Sequence, residues 1–311
     1  MRQAKTLGRM YRTLHKKDSS WEKTNVYPMF ESISRSFELV RTSWKILMQD
    51  KKLLAFPVLS GIVTLLVIAT FILPLIITGE SSLLSTHSLT GIILLFVFYL
   101  VSYFVVIFFN VGLISCVHAQ LQGKSMSVGE GLSVVTRHIG AVLTWALIAA
   151  TVGLILRAIE DRAGFLGQIA AGIVGGAWSL VTMFVVPVLV FEDKDAFSAI
   201  HESLGLFKKT WGESVVGSVS ISLVFVAIGI AGFLLTMATL MLDNPMIFFA
   251  ALALFIVLVA ILSILSSAMQ GIFVVALYTY AKTGQLPAAF SRELVEGAFT
   301  PASSLQSGGN I

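Results

Sequence analysis

Six long stretches of the chain contain no Asp, Glu, Lys or Arg: residues 53–77, 91–117, 139–156, 163–191, 214–242 and 246–281. A hydrocarbon layer ~30 Å thick is crossed by about 20 apolar residues at 1.5 Å rise each. Five of the stretches exceed that length and 139–156 meets the lower limit. A backbone N–H or C=O in lipid finds partners only within its own segment, so each stretch predicts an α-helix. The ~10-residue alternating segments of a membrane β-barrel are not seen. The pattern therefore predicts an all-α, polytopic bundle of six transmembrane helices, numbered spans 1–6 in chain order.

Between the spans the apolar positions change period. Phe30, Ile33, Phe37, Val40, Trp44 and Leu47 follow one another at three- and four-residue steps, which marks one face of an α-helix. Glu31, Arg35, Glu38, Arg41 and Lys45 make this segment too charged to span, and 29–49 reads as an amphipathic helix lying in the cytoplasmic interface. Phe197, Ile200, Leu204, Phe207 and Trp211 repeat the same steps at an offset of 167 positions, with Ser36 meeting Ser203 and Arg41 meeting Lys208. A weaker copy, Val128, Leu132, Val135 and Ile139, lies between spans 2 and 3. The expectation is three repeated units of interfacial helix plus hairpin. Any two amphipathic helices share spacing, so the residue identities carry that inference. Trp44 and Trp211 are the predicted interfacial anchors, because an indole joins an apolar body to a wet N–H.

Composition agrees with the pattern. Of 311 residues, 56% are hydrophobic and only 12% charged, and the mean hydropathy is +0.90. Soluble domains carry about 25% charged residues, so soluble, disordered, disulfide-rich and coiled-coil classes are excluded. Charge adds an orientation. Residues 1–52 hold twelve of the 21 Lys and Arg, and an N-terminus in the cytoplasm puts nineteen inside and two outside. Six spans return the C-terminus to the same side. The expected organisation is a basic cytoplasmic tail over 1–28, a membrane domain over 29–285 and a cytoplasmic tail over 286–311. The connections 78–90, 157–162 and 243–245 are expected outside. No apolar run begins before Leu53, so span 1 is expected to act as its own uncleaved insertion signal. The basic tail favours anionic lipid at ~1 kcal/mol per Lys or Arg. It carries no nucleic-acid recognition motif, and no nucleic acid is expected as a partner.

Candidate chemistry is sparse. Ionisable groups within spans are the usual functional markers, and none lies at a span centre. The polar intramembrane candidates are Asn110 in span 2, Gln168 in span 4 and Gln270 in span 6. Asn110 is expected to bond between helices. The histidines at 15, 87, 118, 138 and 201 form no metal-ligand pattern, and no nucleophile elbow, P-loop or dinucleotide fingerprint occurs. No catalytic, cofactor or metal residues are assigned, and the chain is expected not to be an enzyme. The single Cys116 is expected to be a small packing residue. Gly167, Ala171 and Gly175, with Gly172 and Gly176, predict that span 4 packs closely against its neighbours.

Several motifs carry a resemblance. Tyr103-Phe-Val-Val-Ile-Phe-Phe-Asn110, Gly176-Ala-Trp-Ser179, Val185-Val-Pro-Val-Leu-Val-Phe-Glu192 and Leu206-Phe-Lys-Lys-Thr-Trp-Gly-Glu213 are joined by Asp50-Lys-Lys-Leu-Leu-Ala-Phe-Pro-Val-Leu-Ser60 at the start of span 1. Over about 30–285 the chain resembles a prokaryotic family of six-span membrane proteins without assigned function. More loosely, it is similar to the membrane domain attached to some glycerophosphodiester phosphodiesterases. It lacks their catalytic domain, so their activity does not transfer. The resemblance implies six spans in a prokaryotic cytoplasmic membrane and supplies no catalytic residues.

The expected function is a non-enzymatic membrane protein that organises or binds membrane components: anionic lipids, a membrane-protein partner or a second copy of the chain. The alternative is a permease or channel for a small or lipidic solute. That reading requires a polar path converging on Asn110, Gln168 and Gln270.

Overall fold

The computed structural model describes residues 41–79 and 88–285, with the side chains of all of these except 163 and 211–220. Among the described residues there are helices and connecting turns and no strands. Six helices are long and apolar enough to cross a membrane: Lys51–Thr78, Leu89–Leu121, Ile139–Arg162, Gly164–Phe191, Ile221–Leu242 and Pro245–Thr283. They correspond one for one with the six predicted spans. The tails, 29–40 of the first amphipathic segment and most of the 78–90 connection lie outside the described residues.

The connection between spans 3 and 4 differs from expectation. Residues 157–162, expected as an external loop, are helical, and the chain reverses at Gly164 (φ 56°, ψ −137°). Only glycine reaches that backbone region without steric cost. Arg157 pairs with Glu160 and Asp161 at three- and four-residue spacing, so charges that hydropathy places in a loop extend the helix instead. Leu156 lies 3.4 Å from where a Cβ on Gly175 would stand, and the Trp145 and Trp178 rings stack at 5.9 Å. Spans 3 and 4 are thus a tight antiparallel hairpin. The face Gly167, Ala171 and Gly175 is partly or fully buried, whereas Gly172 and Gly176 are exposed.

Three short helices precede spans 1, 3 and 5: residues 41–49, Val128–Arg137 and Ala196–Lys209. Because two spans separate each from the next, all three lie at the same end of the bundle. Each is followed by one non-helical residue: Asp50, His138 or Thr210. Their burial shares a register, in which Ser43, Gly131 and Ser203 are buried, as are Leu47, Val135 and Phe207 four positions later. The repeated unit is therefore present, but in a different register from the predicted 167-residue offset. Trp44 lies inside the first short helix and is 40% exposed, while Trp211 is the first residue of the helix Trp211–Ala238. The two are not equivalent positions.

The reason is visible in the third short helix. Its buried side is Ala196, Ala199, Ser203, Leu206 and Phe207, whereas Phe197, on the predicted stripe, is 69% exposed. Small residues let this helix approach the backbone of span 4. The helix starts where the Asp195 carboxylate accepts hydrogen bonds from the N–H groups of Phe197 and Ser198, both at 3.1 Å. In the second short helix Ser127 and Glu130 form a capping box.

The short helices complete the core. Leu47, Leu53, Phe56, Val111, Ile114, Val135, Phe184, Leu189, Leu206, Met269 and Ile272 form one buried cluster near their end of the bundle. Span 6 shows the asymmetry: Ala268–Tyr278 is mostly buried, while Met246, Phe249, Leu254 and Ile256 nearer the other end are exposed. Phe56 of span 1 is the wedge of this core. A Cβ on Gly112 would stand 2.5 Å from its ring, and one on Gly131 would stand 2.9 Å from it, 2.7 Å from Cys116 Sγ and 3.0 Å from the Gly112 carbonyl oxygen. Cys116 is buried here with its thiol 3.6 Å from the Ser127 carbonyl oxygen, a packing position as expected.

Candidate functional site

A cavity of about 660 Å³ lies between spans 1, 2, 4, 5 and 6. Phe56, Pro57 and Ser60 line it from span 1, Val106 to Ile114 from one face of span 2, and Met183, Val186 and Pro187 from span 4. Span 5 contributes Ser222, Phe225, Val226 and Gly229. Span 6 adds a polar row, Ser263, Ser266, Ser267 and Gln270, at positions i, i+3, i+4 and i+7 of one helix face.

Asn110 and Gln270 both line this cavity. Gln270 donates to Ser266 Oγ at 3.0 Å and Ser263 donates to the Val259 carbonyl at 2.8 Å. The Asn110 side chain has no hydrogen-bond partner among the described residues. A Cβ on Gly271 would stand 2.7 Å from the Leu113 side chain, so spans 2 and 6, which run in the same direction, touch there. One turn earlier on each, Asn110 stands level with Ser267. Gln168 is not part of this group. It is exposed, four residues after the reversal at Gly164 and at the opposite end of span 4 from Met183 and Pro187. Two of the three predicted amides line one cavity, and the third does not.

The serine row was missed because each serine alone reads as an ordinary helix-packing residue. Its signal was periodic: four polar residues on one face of an otherwise apolar span. Among the described residues, no ionisable side chain lines the cavity. Its chemistry is that of amides and hydroxyls, which donate and accept hydrogen bonds without transferring charge.

Beside the cavity, span 4 is broken. Its helix ends at Val181 and resumes at Val185, and a break at this depth leaves backbone groups to be satisfied by other elements. Ser203 Oγ donates to the Val181 carbonyl at 2.6 Å and accepts the Phe184 N–H at 3.2 Å. Val185 to Val190 are buried, which carries the chain from the cavity wall at Pro187 to Glu192.

Glu192 organises a charged cluster at the short-helix end. Tyr278, one turn beyond Val274 of the cavity, donates to Glu192 Oε1 at 2.8 Å. Lys282 Nζ lies 2.8 Å from Glu192 Oε1 and 2.6 Å from Glu202 Oε1, while Lys194 lies 2.8 Å from Glu192 and 3.4 Å from Glu202. Burial alone would raise the Glu192 carboxyl, but hydrogen bonds from Lys194, Lys282 and Tyr278 hold it below its ordinary value. The Lys282 hydrogen bond is the largest influence lowering Glu202, and Glu192 raises Lys194. Asp193, with φ 51°, turns the chain beside Glu192, and its carboxylate lies 3.3 Å from His138 Nε2. The cluster ties spans 4 and 6 to the third short helix. Sequence reading missed it because Glu202 and Lys282 lie far apart in the chain, although Glu192 ends one of the quoted motifs.

Residues 89–288 match a family of unknown function, DUF6159. The chain belongs to this family. The match runs from the first residue of span 2 past the end of span 6, so the family region holds Asn110, the break in span 4, Glu192, Gln270 and Lys282. Phe56, Pro57 and Ser60 of span 1 line the same cavity from outside it. No curated protein matches the chain.

Proposed function

We propose that this protein is a non-enzymatic, multi-pass membrane protein that holds a small or lipidic solute between its spans. The observation that carries this reading is the convergence of Asn110 and Gln270 on one cavity of about 660 Å³, within the usual range for ligand sites. A mostly apolar wall with a few unpaired polar groups suits recognition by hydrogen bonding. In this reading the protein resides in a prokaryotic cytoplasmic membrane, with both termini and the short helices in the cytoplasm. The excess of basic residues in 1–52 supports that orientation and gives the tail its affinity for anionic lipid. Trp44 and Trp211 anchor the headgroup level.

The protein should be purified from native membranes in detergent-free polymer discs and its bound molecules extracted into organic solvent. A species enriched over bulk lipid is expected with the native chain and lost with Gly229→Leu, which fills space that is open around Gly229. Identical extracts from both chains would refute the reading. The same cavity also favours a permease as the second reading. Solute flux into proteoliposomes that Asn110→Leu abolishes would select it.

A further inference from the structure

The chemistry of the cavity narrows what it holds. Asn110, Ser60, Ser222 and Ser267 line it, and their side chains have no hydrogen-bond partners among the described residues. Asn110, Ser60 and Ser222 are half-buried and Ser267 is exposed, so their donors and acceptors are open to a ligand or water in the cavity. Pro187 has no N–H to offer the carbonyl of Met183, four residues earlier in the same wall. An anionic or cationic ligand would bring a charge into this site without a counter-charge, the most unfavourable arrangement in a low-dielectric interior.

Size gives a second limit. At about 30 Å³ for each water-sized group, a cavity of 660 Å³ accommodates on the order of 20 non-hydrogen atoms. That suits one alkyl or acyl chain with a small head. A two-chain phospholipid is more than twice as large, so it could place only part of itself in the cavity, which is partly open. Phe56, Phe109, Phe225 and Leu262 supply apolar wall for the chain, and the level shared by Asn110 and Ser267 supplies donors and acceptors for the head.

We propose that the cavity is a binding site for a single-chain, uncharged amphiphile with a hydroxylated or amide head, of the monoacylglycerol or fatty-alcohol class. This rests on the reading of the cavity as a ligand site. The full chain, reconstituted in phosphatidylethanolamine and phosphatidylglycerol bilayers at pH 8, should be photolabelled with three diazirine probes: a monoacylglycerol, a fatty acid and a diacyl phosphatidylglycerol.

Saturable labelling by the monoacylglycerol probe is expected, on peptides carrying 106–114 or 259–274. Unlabelled monoacylglycerol should compete, and the fatty-acid probe should label about tenfold more weakly because its charge has no partner. Asn110→Leu should weaken labelling, and Gly229→Leu, which leaves the polar groups intact, should abolish it. Equal or stronger labelling of these peptides by either charged probe would overturn the ligand class while leaving a ligand site in place. Absence of labelling there by every probe would overturn both. Labelling that survives Gly229→Leu in a chain with native thermal stability would also overturn the assignment to this cavity.

Discussion

Ser203 of the third short helix donates its hydroxyl hydrogen to the Val181 carbonyl at 2.6 Å. The same oxygen accepts the N–H of Phe184, three residues further along span 4. One fully buried hydroxyl thus satisfies both sides of a helix break. Span 4 therefore passes through the break at the cavity wall without leaving these two backbone groups orphaned.

Ser203→Ala removes both bonds at the loss of a single heavy atom and adds no bulk to the contact. Leaving a buried donor or acceptor unsatisfied costs about 1–3 kcal/mol, so the variant should unfold at lower temperature in discs. Ser203→Thr should recover part of the loss. Unchanged melting of Ser203→Ala would show that the break needs no side-chain support.

The Phe56 wedge gives a prediction of opposite kind. Gly131→Ala places a methyl group within 3.0 Å of a backbone oxygen, a ring and a thiol, and overpacking of this kind costs about 1–3 kcal/mol. Gly129→Ala in the same helix meets nothing within 4 Å and should stabilise by about 0.5–1 kcal/mol through helix propensity. Thermal melts of the two variants should move in opposite directions. Adding Phe56→Leu should restore part of the Gly131→Ala loss.

The Glu192 cluster predicts an acid limit to stability. The folded-state values of Glu192 and Glu202 lie below the ordinary value near 4.5. Their contribution is therefore complete above that pH and is lost as pH falls through the depressed values. Lys194 is raised above its ordinary 10.5, so its contribution is present below that pH and disappears only at stronger alkalinity. The groups are partly exposed, which keeps each pair near about 0.2–1 kcal/mol. Melting temperature should fall below about pH 4.5, more shallowly in Glu192→Gln than in the native chain. Parallel acid limbs for the two would place the acid sensitivity elsewhere.

The proposed orientation is tested by labelling single cysteines in intact cells. Positions 85 and 244 should react with a membrane-impermeant maleimide, while 20 and 305 should react only after lysis. The reverse pattern rejects cytoplasmic termini. The native Cys116 is buried at the core and should stay unlabelled in both conditions.

The number and class of the spans were legible in the sequence because lipid imposes a one-dimensional rule: a backbone without water must bond within an uninterrupted apolar helix. Charge-free runs obey that rule by composition alone, and Asn110 and Gln270 stood out against them for the same reason. The rule stops at the ends of the spans. Arg157, Glu160 and Asp161 read as loop by hydropathy, yet local ion pairing keeps them helical up to Gly164. Amphipathic spacing identified the short helices, and Leu47, Val135 and Phe207 of the predicted stripes are buried, but it did not single out the small residues that pack the third helix on span 4. Periodicity marks where large side chains lie, whereas close approach to span 4 selected the small residues Ala196, Ala199 and Ser203.

Tertiary structure alone decided which polar groups meet. Gln168 is separated from Asn110 and Gln270 by the direction of span 4, and the contact between Leu113 and Gly271 brings span 6, with its serine row, beside the span 2 face that carries Asn110. Glu192, Glu202 and Lys282 come together from three elements. No local pattern encodes these meetings, because they depend on the packing and depth of whole helices in the bundle, whereas each span forms on its own hydrogen bonds.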